Sequence, residues 1–97
     1  MHARLARIGD ELDEARRTEQ VLVDQVHHLD ELTADADLRR LTSETPLADQ
    51  AWREARTDSD RHTASLEETR RRIADLLEER DALLDRLLEL STATGRG

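Results

Sequence analysis

Two Asp–His pairs have the side chains and the spacing that could hold a metal ion. Asp24 lies four residues before His28, and Asp58 lies four residues before His62. Residues four apart share a helix face, and metal sites in helical bundles combine imidazole and carboxylate groups from facing helices. We therefore take His28 and His62 as candidate metal ligands. The alternative is that both line a helix seam, where protonation would bring like charges together.

A second set of polar residues recurs every four positions and forms a row on one helix face. The pattern Arg16-x-x-x-Gln20-x-x-x-Asp24 is similar to the end of the helical signature with which actinobacterial anti-sigma hairpins bind cyclic di-GMP. Where that family has Glu and Ser upstream, this chain has Gly9 and Asp13. The resemblance implies a nucleotide site on this row, whereas the residue types by themselves are also typical of an exposed helix face. Apart from these two candidates, we expect no cofactor.

The remaining polar residues do not form a catalytic set. The chain has no Cys, no Gly-rich phosphate loop and no Ser, His and Asp that two packed helices would bring together as a triad. Four polar residues fall where a helix seam is normally apolar, and such residues set register and partner choice. They are Glu19, Ser59, Thr69 and Arg80. We therefore predict that the protein is not an enzyme.

Composition indicates a helical protein and excludes most other classes. Of the 97 residues, 39 % are charged and 36 % hydrophobic, with one Trp, no Phe or Tyr, three Gly and one Pro. Sheets need aromatic and β-branched residues, and nucleotide-binding α/β domains need Gly-rich loops, so both classes are excluded. The net charge of −8 argues against nucleic acid and anionic membranes as partners, and no apolar run is long enough to span a bilayer. We expect a cytoplasmic protein.

Two segments repeat apolar residues at alternating steps of three and four, which predicts a helix seam in each. After Leu29 the first repeat falls on Thr33 and the nearby apolar residues are displaced from it, which predicts a stutter. The first seam reads Leu5, Ile8, Leu12, Ala15, Glu19, Leu22, Val26 and Leu29, followed by the displaced Leu32, Ala34 and Ala36 and closed by Leu38 and Leu41. The second reads Ala48, Trp52, Ala55, Ser59, His62, Leu66, Thr69, Ile73, Leu76, Arg80, Leu83, Leu87 and Leu90.

The break between the two segments predicts an antiparallel hairpin. Thr45 is a good N-cap and Pro46 fits the first position of a helix. We predict helices over about 4–41 and 47–90, a loop at 42–46 and a flexible tail at 91–97. A loop this short makes the helices antiparallel neighbours. The predicted fold is therefore all-α: an antiparallel coiled-coil hairpin over residues 1–90.

A hairpin centred on the loop pairs residues whose numbers add to roughly 90. This register places Glu19 beside Arg70 and its neighbours, and it places Leu38 opposite Trp52. It also sets Arg80 beside Asp10. Arg4 and Arg7 then lie near three acidic residues of the second helix, namely Asp81, Asp85 and Glu89. Complementary charge and size both favour this register.

The second helix carries more apolar residues near its end than one partner helix can cover. Leu77, Leu84 and Leu88 form a second flank beside the seam. An apolar stripe this wide is typical of a bundle. We therefore predict a dimer interface at these three leucines, with two hairpins forming a four-helix arrangement.

The distal half, residues 30–61, is polar and acidic around the loop. It is either a solvated surface or a partner-binding tip, whose candidate residues are Asp35, Asp37, Glu44, Asp49 and Trp52. In shape this arm is similar to the acidic-tipped hairpins of bacterial transcript-cleavage factors, which enter the RNA polymerase secondary channel. We predict an adaptor or scaffold that holds protein partners through helix-on-helix contacts. The alternative is a transcription regulator, anti-sigma-like in character, that binds RNA polymerase or a sigma factor through the acidic arm.

Overall fold

The computed structural model describes residues 1–95 and contains two long helices and no strand within them. Helix α1 spans His2–Ser43 and helix α2 spans Pro46–Gly95. They pack side by side along a rod of 79 × 15 × 13 Å. The predicted all-α hairpin is therefore confirmed. Over the described residues, neither helix contains a stretch both long and apolar enough to cross a bilayer.

The turn between the helices is shorter than the predicted loop at 42–46, because Thr42 and Ser43 complete α1 and Pro46 begins α2. Glu44 takes a left-handed conformation, with φ 48° and ψ 38°, and its N–H donates to the carbonyl of Arg40 at 3.2 Å. The Thr45 hydroxyl accepts the N–H of Ala48 at 3.2 Å, as expected of an N-cap.

Helix α2 also continues past the predicted end at Leu90. It runs to Gly95, so residues 91–95 of the predicted flexible tail are helical, and residues 96 and 97 lie outside the described part of the chain. Ala82 to Ala93 keep good helix formers and no Gly or Pro, which explains why nothing stops the helix at Leu90.

The predicted stutter in α1 is absent. Thr33, Ala36 and Arg40 are half-buried and continue the three-four repeat without interruption. Of the residues predicted to be displaced from the repeat, Leu32 and Ala34 are exposed, with Leu32 at 45 %, whereas Ala36 lies on the repeat itself. Leu38 and Leu41, which were predicted to close the seam, are each 61 % exposed. Because α2 keeps a regular repeat over the same length, a stutter in α1 alone would put the two seams out of phase.

The apolar core lies towards the end of the rod remote from the turn. Ile8, which has no solvent exposure, contacts Leu12 and Leu76 there. The half-buried residues Ile73, Leu77 and Leu83 pack around this cluster. The core is thus only a few side chains thick, as expected for two helices without a third layer.

Two cross-helix contacts confirm the predicted register. Arg70 Nε donates to Glu19 Oε2 at 3.1 Å, and Ser59 Oγ donates to Asp30 Oδ1 at 2.6 Å. In both pairs the residue numbers add to 89, against the predicted value of roughly 90.

Three contacts expected from this register form with other partners. Arg4 bonds Glu79 rather than Asp81, Asp85 or Glu89, and Arg80 bonds its neighbour Asp81 rather than Asp10. At the turn, Trp52 is covered by Arg40 rather than by Leu38, which is exposed. In each case the side chain reaches the partner that its own helix face allows.

Candidate interaction surfaces

The candidate metal ligands His28 and His62 do not meet in a ligand cluster. His28 is exposed, so the prediction that it lines the seam is wrong, whereas His62 is half-buried. His62 Nδ1 lies 2.8 Å from the backbone carbonyl of Asp58 and not against its carboxylate. No group of three or more metal-ligating side chains forms within the described residues. His28 sits one position past His27, which faces solvent and pairs with Glu31 at 3.1 Å.

The candidate nucleotide row Arg16, Gln20 and Asp24 is an exposed face of α1. Gln20 Nε2 donates to Asp24 Oδ1 at 3.1 Å, so part of the polar capacity of the row is used within the helix. This is the i, i+4 contact expected of any such pair on a helix surface. Nucleotide binding by this row stays a prediction.

The predicted dimer-interface residues form a stripe that leads from the core to the surface. Leu77 is half-buried and packs on the Ile8 cluster, whereas Leu84 and Leu88 are 48 % and 67 % exposed. The steps of seven and four between them keep all three on one side of α2. We call this stripe, Leu77, Leu84 and Leu88, the base surface. It is an apolar surface continuous with the core.

The other side of the same end is charged. Arg4 bonds both carboxylate oxygens of Glu79, with Nη2 donating to Oε1 at 2.6 Å, and its Nη1 donates to Glu11 at 3.3 Å. The hydrogen bond from Arg4 holds the pKa of the Glu79 carboxyl below its usual range, and the same bond raises the pKa of the Arg4 guanidinium. This cluster joins the first turns of α1 to α2 across the seam.

Around the turn, the aromatic ring of Trp52 lies between two arginines. The guanidinium carbon of Arg40 is 4.1 Å from the ring centroid and that of Arg56 is 5.5 Å from it. Arg40 also pairs with Asp37 at 2.5 Å, which links the predicted tip residues Asp37 and Trp52 through one cation. Cation–π contacts of this kind hold the ring in place at a half-exposed site.

The other acidic residues predicted at the tip are distributed differently. Asp35 pairs with Arg39 of its own helix at 3.4 Å. Glu44 occupies the turn, and Asp49 stands in the first turn of α2, where the helix dipole favours a negative charge. The structure therefore neutralises Asp35 and Asp37 locally.

Sequence reasoning missed that the tip also exposes apolar side chains. Leu38, Leu41 and Leu47 are 61 %, 61 % and 76 % exposed and flank the turn. Their signal was present in the sequence, because none of them falls on the uninterrupted three-four repeat. We call these leucines together with Asp35, Glu44 and Asp49 the tip surface. Exposed apolar groups rimmed by charge are typical of protein-binding sites.

The arrangement presents two partly apolar surfaces, the base surface and the tip surface. Over the described residues, the cross-helix polar contacts are structural pairs: Arg4 with Glu79, Arg70 with Glu19, and Ser59 with Asp30. At the base and tip surfaces, leucine side chains can be buried against another molecule and charged groups can pair with charges of opposite sign. Comparison with known proteins adds no assignment, since no family model, no curated protein and no solved structure matches the chain.

Proposed function

We propose that this protein is a non-enzymatic scaffold that joins protein partners through helix-on-helix contacts and that it self-associates through the base surface. The observation that carries this proposal is the exposure of Leu84 and Leu88 on a stripe continuous with the core. A leucine left in water forfeits roughly 1.5 to 3 kcal/mol of transfer free energy. A further pair of helices over the stripe would recover part of that for each copy.

The distribution of charge supports the same proposal. Mid-rod surfaces of both helices are rich in Arg, Asp and Glu, whereas the large exposed apolar residues concentrate near the two ends. Charged surfaces stay solvated at little cost, and apolar ends are the places where contacts with other proteins gain most.

Mass measurement of a charge-substituted base surface tests the proposal. Leu84→Glu combined with Leu88→Glu should convert a two-chain species to a one-chain species in light scattering, with helicity by circular dichroism unchanged. Val21→Glu is the matched control, because Val21 is 55 % exposed on α1 and lies outside the base surface. A one-chain mass for the wild type, or a two-chain mass for the double variant, contradicts self-association through this stripe.

A second candidate function, a transcription regulator that docks through the tip, is favoured by the tip surface. Leu38, Leu41 and Leu47 supply apolar contact area. Glu44 and Asp49 supply negative charge that no ion pair within the described residues neutralises. A partner with a basic rim around an apolar groove fits this combination. RNA polymerase and sigma factors are the partners we propose for it.

Affinity capture separates the two candidates. The baits are the wild type and a variant with Asp35→Asn, Asp37→Asn, Glu44→Gln and Asp49→Asn, and captured proteins are identified by mass spectrometry. Enrichment of RNA polymerase or a sigma factor by the wild type alone, weakening with added salt, supports the regulator. Equal capture of the same proteins by both baits supports the scaffold and removes the tip from its binding site.

A further inference from the structure

The base surface lies on the side of the hairpin opposite the Arg4–Glu79 ion pair. Arg4 and Glu79 each directly precede a seam residue, and their ion pair shows that such residues meet on one side. Gly9, Leu77 and Leu84 each directly follow a seam residue, and therefore lie on the opposite side. A Cβ added at Gly9 would have no atom within 4 Å. The apolar side of this end is thus unobstructed above α1 at Gly9.

Arg80 is a seam residue beside the base surface, with a side chain that is 41 % exposed, and it has hydrogen-bonding capacity that the hairpin does not use. Its Nε is buried with no hydrogen-bond partner among the described residues. Its Nη2 is 3.5 Å from Asp81 Oδ1, a long contact, and the Asp81 side chain is 66 % exposed. A cation and an anion at adjacent positions beside an apolar stripe are self-complementary when two such stripes run in opposite directions.

Charge further along the same side decides between the two ways of pairing the hairpins. Arg16 and Arg70 also directly follow seam residues, and both are exposed. With tips together, two-fold symmetry would place α1 of one copy over α2 of the other, so that Arg16 of each chain would lie near Arg70 of the second chain. With tips apart, the pairing is confined to the base, and Arg16 and Arg70 have no arginine opposite them. Like charges placed together across an interface cost several kcal/mol.

We propose that two copies of this chain pair antiparallel through the base surface, with Leu77 of one copy against Leu84 of the other, Arg80 facing Asp81 reciprocally, and the tips at opposite ends. This inference rests on the proposed self-association and adds its geometry. The two-fold axis lies between Arg80 and Asp81 of the two α2 helices. Gly9 allows the two α1 helices to approach closely beside it.

The geometry separates the tips by a measurable distance. Some thirty-four residues of α2 lie between Arg80 and Pro46, or about 50 Å at 1.5 Å per residue. The two tips of the assembly are therefore about 100 Å apart. Tips placed together would be within about 30 Å, which is a few helix diameters.

Single-cysteine labelling measures that distance, because the chain has no Cys of its own. Ser43→Cys places a fluorophore at the tip, and Ala82→Cys places one near the two-fold axis. Energy transfer between copies at Ala82→Cys but none at Ser43→Cys supports the proposal. Transfer at both positions overturns the antiparallel geometry and leaves self-association standing. A one-chain mass with transfer at neither position overturns the geometry and the self-association together.

Charge exchange tests the reciprocal ion pair directly. Arg80→Glu puts two acids in contact across the axis, and Asp81→Arg puts two arginines there. Each variant alone should dissociate at least tenfold more readily than the wild type, and an equimolar mixture should recover dimers, because both contacts then pair opposite charges. Failure of the mixture to associate, while both variants keep wild-type helicity, overturns the pairing of Arg80 with Asp81. Self-association of either variant at wild-type strength overturns it as well.

Discussion

The base half of the hairpin and its distal arm share one three-four repeat but differ in what that repeat contains. In the base half the seam buries Ile8, Leu12, Ala15, Leu66 and Leu76. In the distal arm, residues 30–61, the one buried side chain is Ser59, which donates a hydrogen bond to Asp30. Spacing therefore determines which helix faces meet, whereas the side chains at those positions determine how much free energy the contact contributes.

The two regions also differ in how their charges are used. In the base half, Arg4 joins α1 to α2 through Glu79, so the ion pair stabilises the tertiary structure. In the distal arm, Arg39 and Arg40 pair with aspartates of their own helix. Pairs within one helix support that helix by only a few tenths of a kcal/mol and do not hold the hairpin closed. We therefore expect the distal arm to open more readily than the base.

The largest expected effect is at the core of the base half. Ile8→Ala should lower the free energy of unfolding by about 2 to 4 kcal/mol, since it removes a fully buried side chain and leaves a cavity. Leu38→Ala in the distal arm, at a side chain 61 % exposed, should change it by less than about 0.5 kcal/mol. Urea unfolding followed by circular dichroism at one protein concentration measures both. Equal losses of unfolding free energy in the two variants would contradict the difference in packing between the base half and the distal arm.

A smaller loss is expected at the buried polar residue of the distal arm. Ser59→Ala removes the hydrogen bond to Asp30 and should lower the free energy of unfolding by about 1 kcal/mol. Asp30 is exposed and can bind water instead, which limits the cost. Ser65→Ala, the same change at an exposed position of α2, is the control and should be neutral or slightly stabilising, because Ala is the better helix former. Chemical denaturation measures the difference.

The Arg4–Glu79 pair predicts that the stability of the base half depends on pH. The folded-state pKa of Glu79 is lowered by its bond to Arg4, so its stabilising contribution is present above the unfolded-state pKa and is lost as pH falls through the folded-state pKa. Glu79→Gln should melt at a lower temperature than the wild type at pH 7, and the gap should close as pH falls below about 4.

Glu78→Gln is the matched control for this measurement, because it removes the same charge one residue away on the exposed face. Thermal melts monitored by circular dichroism across the pH range give the comparison. A gap between Glu79→Gln and the wild type that stays constant down to pH 3 would show that the loss is one of packing and not of charge.

The smallest effect is expected at His28. Because its side chain is exposed, His28→Gln should change the free energy of unfolding by less than about 0.5 kcal/mol at both pH 5.5 and pH 8. His62→Gln, at a half-buried position beside the Asp58 carbonyl, provides the comparison and should cost more. A gain in stability for His28→Gln that appears only at the lower pH would place this histidine in the seam, because the variant removes the like charges that protonation would bring together there.

The fold class, the antiparallel hairpin and its register were all predictable from the sequence. Each follows from local rules: a three-four repeat marks one face of a helix, Thr45 and Pro46 mark the start of α2, and a short turn makes neighbours antiparallel. Glu19 with Arg70 was found from charge and register together. Leu84 and Leu88 were recognised as surplus to the seam and are exposed in the structure.

Tertiary structure alone decided the details that depend on both helices at once. The stutter expected after Leu29 did not form because α2 has no matching interruption, and this placed Leu38 and Leu41 on the surface. The packing of the two helices also brings Arg4 to Glu79 and places Arg40 over Trp52. The repeat in one helix segment shows which of its residues face a partner helix. The phase between the two helices is set by the packing of both, and the contacts of each side chain depend on that phase.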